Sequence, residues 1–213
     1  METQFKILGP EFSTFVRSVM IACEEKGLTY RYGMKLNGEP VNLGDEAHLA
    51  VHPYGKIPVL ILEDGRSICE TAAILRFLDA EFSGPAFLPE DHFDRAQVDQ
   101  WSNLINIYVD RAIVREFLLE FVFPKGEGGT VRMDKVEAAI PEIKQAIAKL
   151  TAQLGSNDYI CGNDFSMADI MLAPMLDYLQ RHPKGGELLS GNQALLTYLE
   201  RLRQRPSCKK VLI

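Results

Sequence analysis

His52-Pro53-Tyr54-Gly55-Lys56-Ile57-Pro58-Val59-Leu60, running on to Ile68-Cys69-Glu70-Thr71, is the stretch on which the fold turns. Val59-Leu60-Ile61-Leu62 is a short apolar run, and Asp64-Gly65 after it is a strong reversal signal, so the segment reads as a β-hairpin. Ala72-Ala73-Ile74-Leu75-Arg76-Phe77-Leu78 has helical composition, which places Glu70 and Thr71 at a helix N-terminus. Free backbone N–H groups and the positive end of the helix dipole attract a carboxylate there. Charges of both signs, edge-like backbone and a stiff proline turn suit a small zwitterionic peptide better than a nucleotide or a metal.

Upstream, Phe5-Lys6-Ile7-Leu8 reads as a strand stopped by Gly9-Pro10. Phe12 to Lys26 has helical spacing, with Val16, Val19, Met20 and Cys23 on one face and Gly27 closing it. Leu28 to Met34 is β-rich, and residues 36–51 form a polar connection with room for one helical turn. The order βαβ then ββα predicts a four-stranded mixed sheet carrying helices.

Downstream, residues 81–92 form a Pro/Gly-bearing break, after which the pattern is helical. Apolar positions recur from Val98 to Phe121, and a second stripe runs through Met133, Val136, Ile140, Ile143, Ile147, Leu150 and Leu154. Such stripes are core or helix-pairing surface far more often than cofactor boxes. Ser166 and Asp169 have capping-box spacing, for which a loss of roughly 1–2 kcal/mol on substitution by Ala is expected at either position. A last helix from about Asn192 to Arg205 is halted by Pro206. Two domains follow, an α/β domain over 1–82 and an all-α domain over 90–213.

Composition excludes several classes. The chain has 213 residues, 46% hydrophobic and 24% charged, the balance of an ordinary globular protein. Its net charge of −6 has no basic stripe, so nucleic acid is not an expected partner. No apolar run approaches the ~18 residues of a membrane span, and Met1-Glu2-Thr3-Gln4 does not open a signal peptide. Cys23, Cys69, Cys161 and Cys208 are scattered without a CxxC pair, as expected of idle thiols in a reducing cytoplasm, and no metal centre is expected.

Ser13 and Thr14 lie between the first strand and the first helix. Either serves as a helix cap, or its hydroxyl donates to an anion brought by a ligand. No Ser-His-Asp arrangement or G-x-S-x-G elbow accompanies them, so a serine hydrolase is not expected.

Four motifs in order, spanning nearly the whole chain, resemble the cytosolic glutathione transferases. Ser13-Thr14-Phe15-Val16-Arg17 is similar to the serine-bearing first loop and helix of serine-type members, and Pro53 to Leu60 to the glutathione-binding turn. Ile68-Cys69-Glu70-Thr71-Ala72-Ala73-Ile74 resembles the Glu-Ser signature with Thr for Ser, and Phe165 to Ile170 the capping box of the helical domain. The resemblance implies an α/β thioredoxin-like domain (βαβ-ββα) followed by an all-α helical domain, and a homodimer. It implies glutathione as co-substrate and a hydrophobic electrophile as the second substrate, with no metal.

By the same resemblance Ser13 donates to the glutathione sulfur and Lys56 meets the glycine carboxylate. Ile57, before a cis Pro58, pairs with the cysteinyl backbone; Glu70 binds the γ-glutamyl ammonium and Thr71 its carboxylate. Phe12, Ile105, Tyr108, Ala112 and Arg115 are the implied electrophile contacts, equally readable as core or dimer contacts. Ser rather than Cys at the active position argues against the thiol-transferring classes, and no Tyr lies in the first loop. His52 stands where the family often has Asn and is read as a structural loop residue. The alternative to conjugation is a non-catalytic module of this fold that binds hydrophobic ligands or proteins.

Overall fold

A computed structural model describes residues 5–212; Met1-Glu2-Thr3-Gln4 and Ile213 lie outside them. The chain divides into two compact units, Met1–Pro89 with Gln204–Ile213, and Glu90–Arg203.

The first unit runs β1 (Phe5–Leu8), α1 (Thr14–Glu25), β2 (Tyr30–Gly33), β3 (Lys35–Leu36), β4 (Glu39–Pro40), α2 (Glu46–Val51), β5 (Val59–Leu62), β6 (Ser67–Cys69) and α3 (Thr71–Glu81). The expected four-stranded mixed sheet forms in the order β2-β1-β5-β6, and β3 and β4 make a separate ribbon. β1 is parallel to β2 and antiparallel to β5, which pairs antiparallel with β6 in the register Val59↔Cys69. Ile7, Leu8, Val59 and Leu60 are fully buried at its centre. The α1 face anticipated from spacing is the buried one: Val16, Val19 and Cys23 are inaccessible and Met20 nearly so. On α3, Ile74, Leu75 and Leu78 are fully buried.

This unit extends past the expected boundary at 82. Phe87 and Leu88, in the Pro/Gly-bearing break, are buried. Asp79 Oδ1 accepts both the Phe87 N–H and Lys26 Nζ at 2.9 Å. The ammonium lies 4.6 Å from the Phe87 ring centre. These contacts tie the break to α1 and α3.

The second unit holds α4 (His92–Leu104), a π-helical segment (Ile105–Leu118), α5 (Leu119–Val122), a 3₁₀ turn (Glu127–Gly129), α6 (Met133–Leu154), α7 (Met167–Arg181), α8 (Pro183–Leu189) and α9 (Gln193–Gln204). The stretch read as helical from Val98 to Phe121 is thus helical throughout but not in one register. Its middle turns widen, and the Leu119 N–H reaches the Val114 carbonyl five residues back. Two ion pairs use the same spacing, Arg115 Nε to Asp110 Oδ2 at 2.7 Å and Arg111 Nε to Glu116 Oε1 at 2.9 Å. In an α-helix, five residues leave two side chains about 140° apart.

α6 packs along the π segment. Its stripe buries Val136, Ile143, Ile147, Leu150 and Leu154, while Met133 is exposed. α7 is buried along nearly its whole length and opens with the anticipated capping box. Asp169 Oδ2 accepts the Ser166 N–H and hydroxyl at 2.8 and 2.7 Å, and Oδ1 accepts the Ile160 N–H and Tyr198 hydroxyl at 2.9 and 2.7 Å.

Pro206 ends α9 and also begins a further helix, α10 (Pro206–Val211), at its first position. α10 packs on α1, so residues 204–213 belong with the first unit and not with the helical unit expected over 90–213. Arg205 grips Glu25 with two bonds, 2.9 and 2.7 Å, and Ser207 donates to the same carboxylate. Among the described residues no helix is long and apolar enough to cross a membrane, and no group of three His, Cys, Asp or Glu is placed to hold a metal ion.

Candidate functional site

Ser13 is the N-cap of α1, with extended backbone (φ −70°, ψ 129°). Its Oγ accepts the Val16 N–H at a long 3.5 Å, leaving the hydroxyl proton free to be donated. The two readings of Ser13 are therefore compatible. Gly9 brings this turn to the stretch beginning at His52. A Cβ at Gly9 would lie 2.4 Å from Val16 Cγ2 and 3.4 Å from Ile57 Cβ, and its φ of +150° favours glycine besides. The end of β1 is thus pressed between the first turn of α1 and Ile57.

The Ile57–Pro58 bond is cis, as the resemblance implies. Ile57 precedes β5, and among the described residues its N–H and C=O make no hydrogen bond. That leaves a donor and an acceptor for an extended peptide. Pro58 is buried, and Lys56 is exposed.

Two histidines brace this turn. His48 is fully buried; its Nδ1 accepts the Gly44 N–H at 3.0 Å, so the ring proton is on Nε2, which donates to the Lys56 carbonyl at 2.9 Å. His52 is 2% exposed, and its Nδ1 accepts the Tyr54 N–H at 3.2 Å. That supports the structural reading of His52. His48 had no role in the sequence reading. The one available signal was its four-residue spacing from His52 ahead of a glycine-bearing turn.

Glu70 and Thr71 stand where β6 hands over to α3. Glu70 is the N-cap at φ +71° and makes no side-chain cap bond; its carboxylate is 65% exposed and 3.7 Å from His52 Nε2. Positive φ in a non-glycine residue is a strained choice associated with functional positions. Thr71 is the first residue of the helix and is buried.

The implied electrophile contacts divide by exposure. Phe12, beside Ser13, is 52% exposed. In the second unit Tyr108 is 61% exposed, whereas Ile105 and Ala112 are buried and belong to that unit's packing. Arg115 is half exposed and engaged by Asp110, whose carboxyl is pushed up by burial against the opposing pull of that guanidinium. Asp110 was not singled out from sequence, although its five-residue spacing from Arg115 is visible there.

Comparison with known proteins fits this geometry. Residues 12–81 match the model of the glutathione S-transferase N-terminal domain, and residues 133–201 that of the C-terminal domain. A probable glutathione S-transferase of Nicotiana tabacum is 32% identical over 167 residues, covering 78% of this chain and 67% of its own. Glutathione S-transferase U21 of Arabidopsis thaliana is 29% identical, covering 100% and 91%. The theta class glutathione S-transferase of Xanthomonas axonopodis pv. citri, solved with glutathione bound, superposes with a TM-score of 0.84 at 25% identity, covering 100% of this chain and 98% of its own. With both domain models matched in order, the chain belongs to the glutathione S-transferase family.

Proposed function

We propose that this glutathione transferase holds glutathione along residues 56–71 and activates its thiol as a thiolate through Ser13, for addition to a hydrophobic electrophile. Lys56 meets the glycine carboxylate, and Ile57 pairs with the cysteinyl backbone ahead of Pro58. Glu70 takes the γ-glutamyl ammonium. Thr71 and the α3 N-terminus take the neighbouring carboxylate. The thiolate sulfur bonds to the electrophilic carbon, and with a chloronitroaromatic substrate chloride leaves. Phe12 supplies an apolar contact beside the reacting sulfur.

The observation that carries this reading is the double capacity of Ser13, acceptor to Val16 and still a donor, at the start of a twelve-residue helix. A free thiol with a pKa of about 8.5 is only a few per cent ionised at neutral pH. Lowering that by two units takes about 2.7 kcal/mol. A hydrogen bond to a charged acceptor supplies about 1.5–3 kcal/mol and the helix dipole about 0.3–1 kcal/mol. One hydroxyl at a helix N-terminus suffices without a neighbouring base. Retention on immobilised glutathione together with turnover of a chloronitroaromatic is the expected result. Retention without turnover across a broad electrophile panel would favour a non-catalytic binding module instead.

A further inference from the structure

We propose that His52 is a positioning residue for Glu70, holding its carboxylate where the γ-glutamyl ammonium of glutathione meets it; this rests on the reading of Glu70 given above. His52 is 2% exposed, yet the turn uses only one edge of its ring. The bond from the Tyr54 N–H requires an unprotonated Nδ1, so the ring proton lies on Nε2. That N–H faces Glu70 Oε1 across 3.7 Å, and among the described residues His52 is the ion-pair partner of Glu70. Glu70 itself departs from the usual behaviour of an N-cap. Its side chain leaves the α3 amides unbonded, and its backbone is held at φ +71°, ψ 115°. The carboxylate is thus aimed at the histidine edge and at solvent, with the first turn of α3 left open to a ligand carboxylate.

The neighbouring ring completes the arrangement. His48 lies 6.3 Å from His52, ring centre to ring centre, and fixes the Lys56 carbonyl. The two buried rings therefore brace the two charges assigned to opposite ends of the tripeptide. The charged and titratable groups acting on His52 are Glu70, His48 and Lys56. Burial holds its imidazole below the usual range against the pull of Glu70, with His48 and Lys56 adding to the lowering. At neutral pH the ring is accordingly a neutral donor that leaves the charge of Glu70 to the substrate ammonium. Once protonated in acid, it competes with that ammonium and repels it.

A crossed pair of variants separates positioning from bracing. The side-chain oxygen of Asn reaches the place of Nδ1 and keeps the Tyr54 bond, whereas the amide nitrogen of Gln reaches the place of Nε2 and keeps the donor to Glu70. Calorimetric titration with glutathione at neutral pH is expected to show His52→Asn weaker by about three- to tenfold and His52→Gln within about twofold of the wild type. kcat should change little in either. Once Glu70→Gln has removed the carboxylate, adding His52→Asn should bring no further loss. As the pH falls, the wild type should lose affinity before His52→Gln does. Wild-type binding by His52→Asn with weak binding by His52→Gln would make His52 a turn brace only and overturn the proposal, as would equal binding by all three. No glutathione binding by the wild type would instead overturn the glutathione reading itself.

Discussion

Ser13→Ala removes two interactions that can be measured apart. The first is the cap. The Ser13–Val16 bond is long at 3.5 Å, so the loss belongs at the low end for an N-cap, about 0.5–1 kcal/mol and a fall in Tm of about 1–4 °C. The second is the proposed bond from its hydroxyl to the glutathione sulfur, whose removal is expected to raise the pKa of bound glutathione by about one to two units. Linkage then fixes the pH dependence of binding. A thiol bound two units below its free pKa of about 8.5 gains about fourfold in affinity at neutral pH and nothing in acid below both values. Ser13→Ala should therefore lose about fourfold in glutathione affinity at neutral pH and none in acid.

The thiolate fraction at neutral pH falls about twentyfold for a two-unit rise, but a more basic thiolate is a better nucleophile, so turnover falls by less. Ultraviolet titration of bound thiolate is the direct assay. Ser13→Asp divides the roles further, because a carboxylate caps the helix yet donates nothing and repels the sulfur. It should keep the stability and raise the thiol pKa beyond that of Ser13→Ala. An unshifted titration in Ser13→Ala, or a thiolate restored in Ser13→Asp, would show that the Ser13 hydroxyl does not ionise the thiol.

Two further outcomes concern the scaffold. Asp169→Ala strands the Ile160 N–H, the Tyr198 hydroxyl and the Ser166 donors inside the second unit, so its loss in denaturant unfolding should reach about 3–5 kcal/mol, against about 1 kcal/mol for Ser166→Ala; equal losses would reduce Asp169 to a simple cap. For Glu25, burial alone would push the carboxyl up, but the bonds from Arg205 and Ser207 and the Arg205 charge hold it below its ordinary range. A depressed carboxyl stabilises above its unfolded pKa and loses that contribution as pH falls through the folded one. Hydrogen-exchange protection of α10 should accordingly fade only in strong acid, and Arg205→Ala should move that loss upward in pH; an unmoved profile would show that α10 is held by apolar packing alone.

Local signals make parts of both units readable. Asp64-Gly65 marks a hairpin and the α1 stripe has one period in the first unit, and in the second Ser166 with Asp169 spells a cap whatever surrounds it. What escaped depends on contacts distant in sequence or on a register that spacing alone does not settle. Phe87 and Leu88 read as linker because the Asp79 and Lys26 that hold Phe87 are brought to it by α3 and α1. The π segment was read as α because Ile105, Tyr108 and Ala112 satisfy a three-four pattern; the five-residue charge pairs carried the opposite message. Pro206 reads as a stop, although the missing N–H that ends one helix is equally tolerated at the start of the next. The capping motif alone points to a smaller loss for Asp169→Ala than the structure does, since Tyr198 and Ile160 bond its carboxylate from outside that motif. In the candidate site, Ser13, Lys56, Ile57, Pro58, Glu70 and Thr71 were each singled out by a short motif. His48 was not, because a ring bonded only to backbone leaves no side-chain partner in the sequence to point to it.

The return of α10 to α1 makes the first unit discontinuous. Its sheet and three helices come from one end of the chain, and its last helix is supplied from beyond the whole second unit. Vectorial synthesis delivers the Ser13 turn, the cis-proline loop and Glu70 long before Arg205 and Ser207 arrive to clasp Glu25. The unit bearing the sheet is therefore translated early but closed late, while the helical unit is contiguous and can complete its core as it emerges. The clasp at Glu25 becomes the step that seals the unit bearing Ser13, and weakening it should slow the appearance of glutathione binding during refolding more than the appearance of helix.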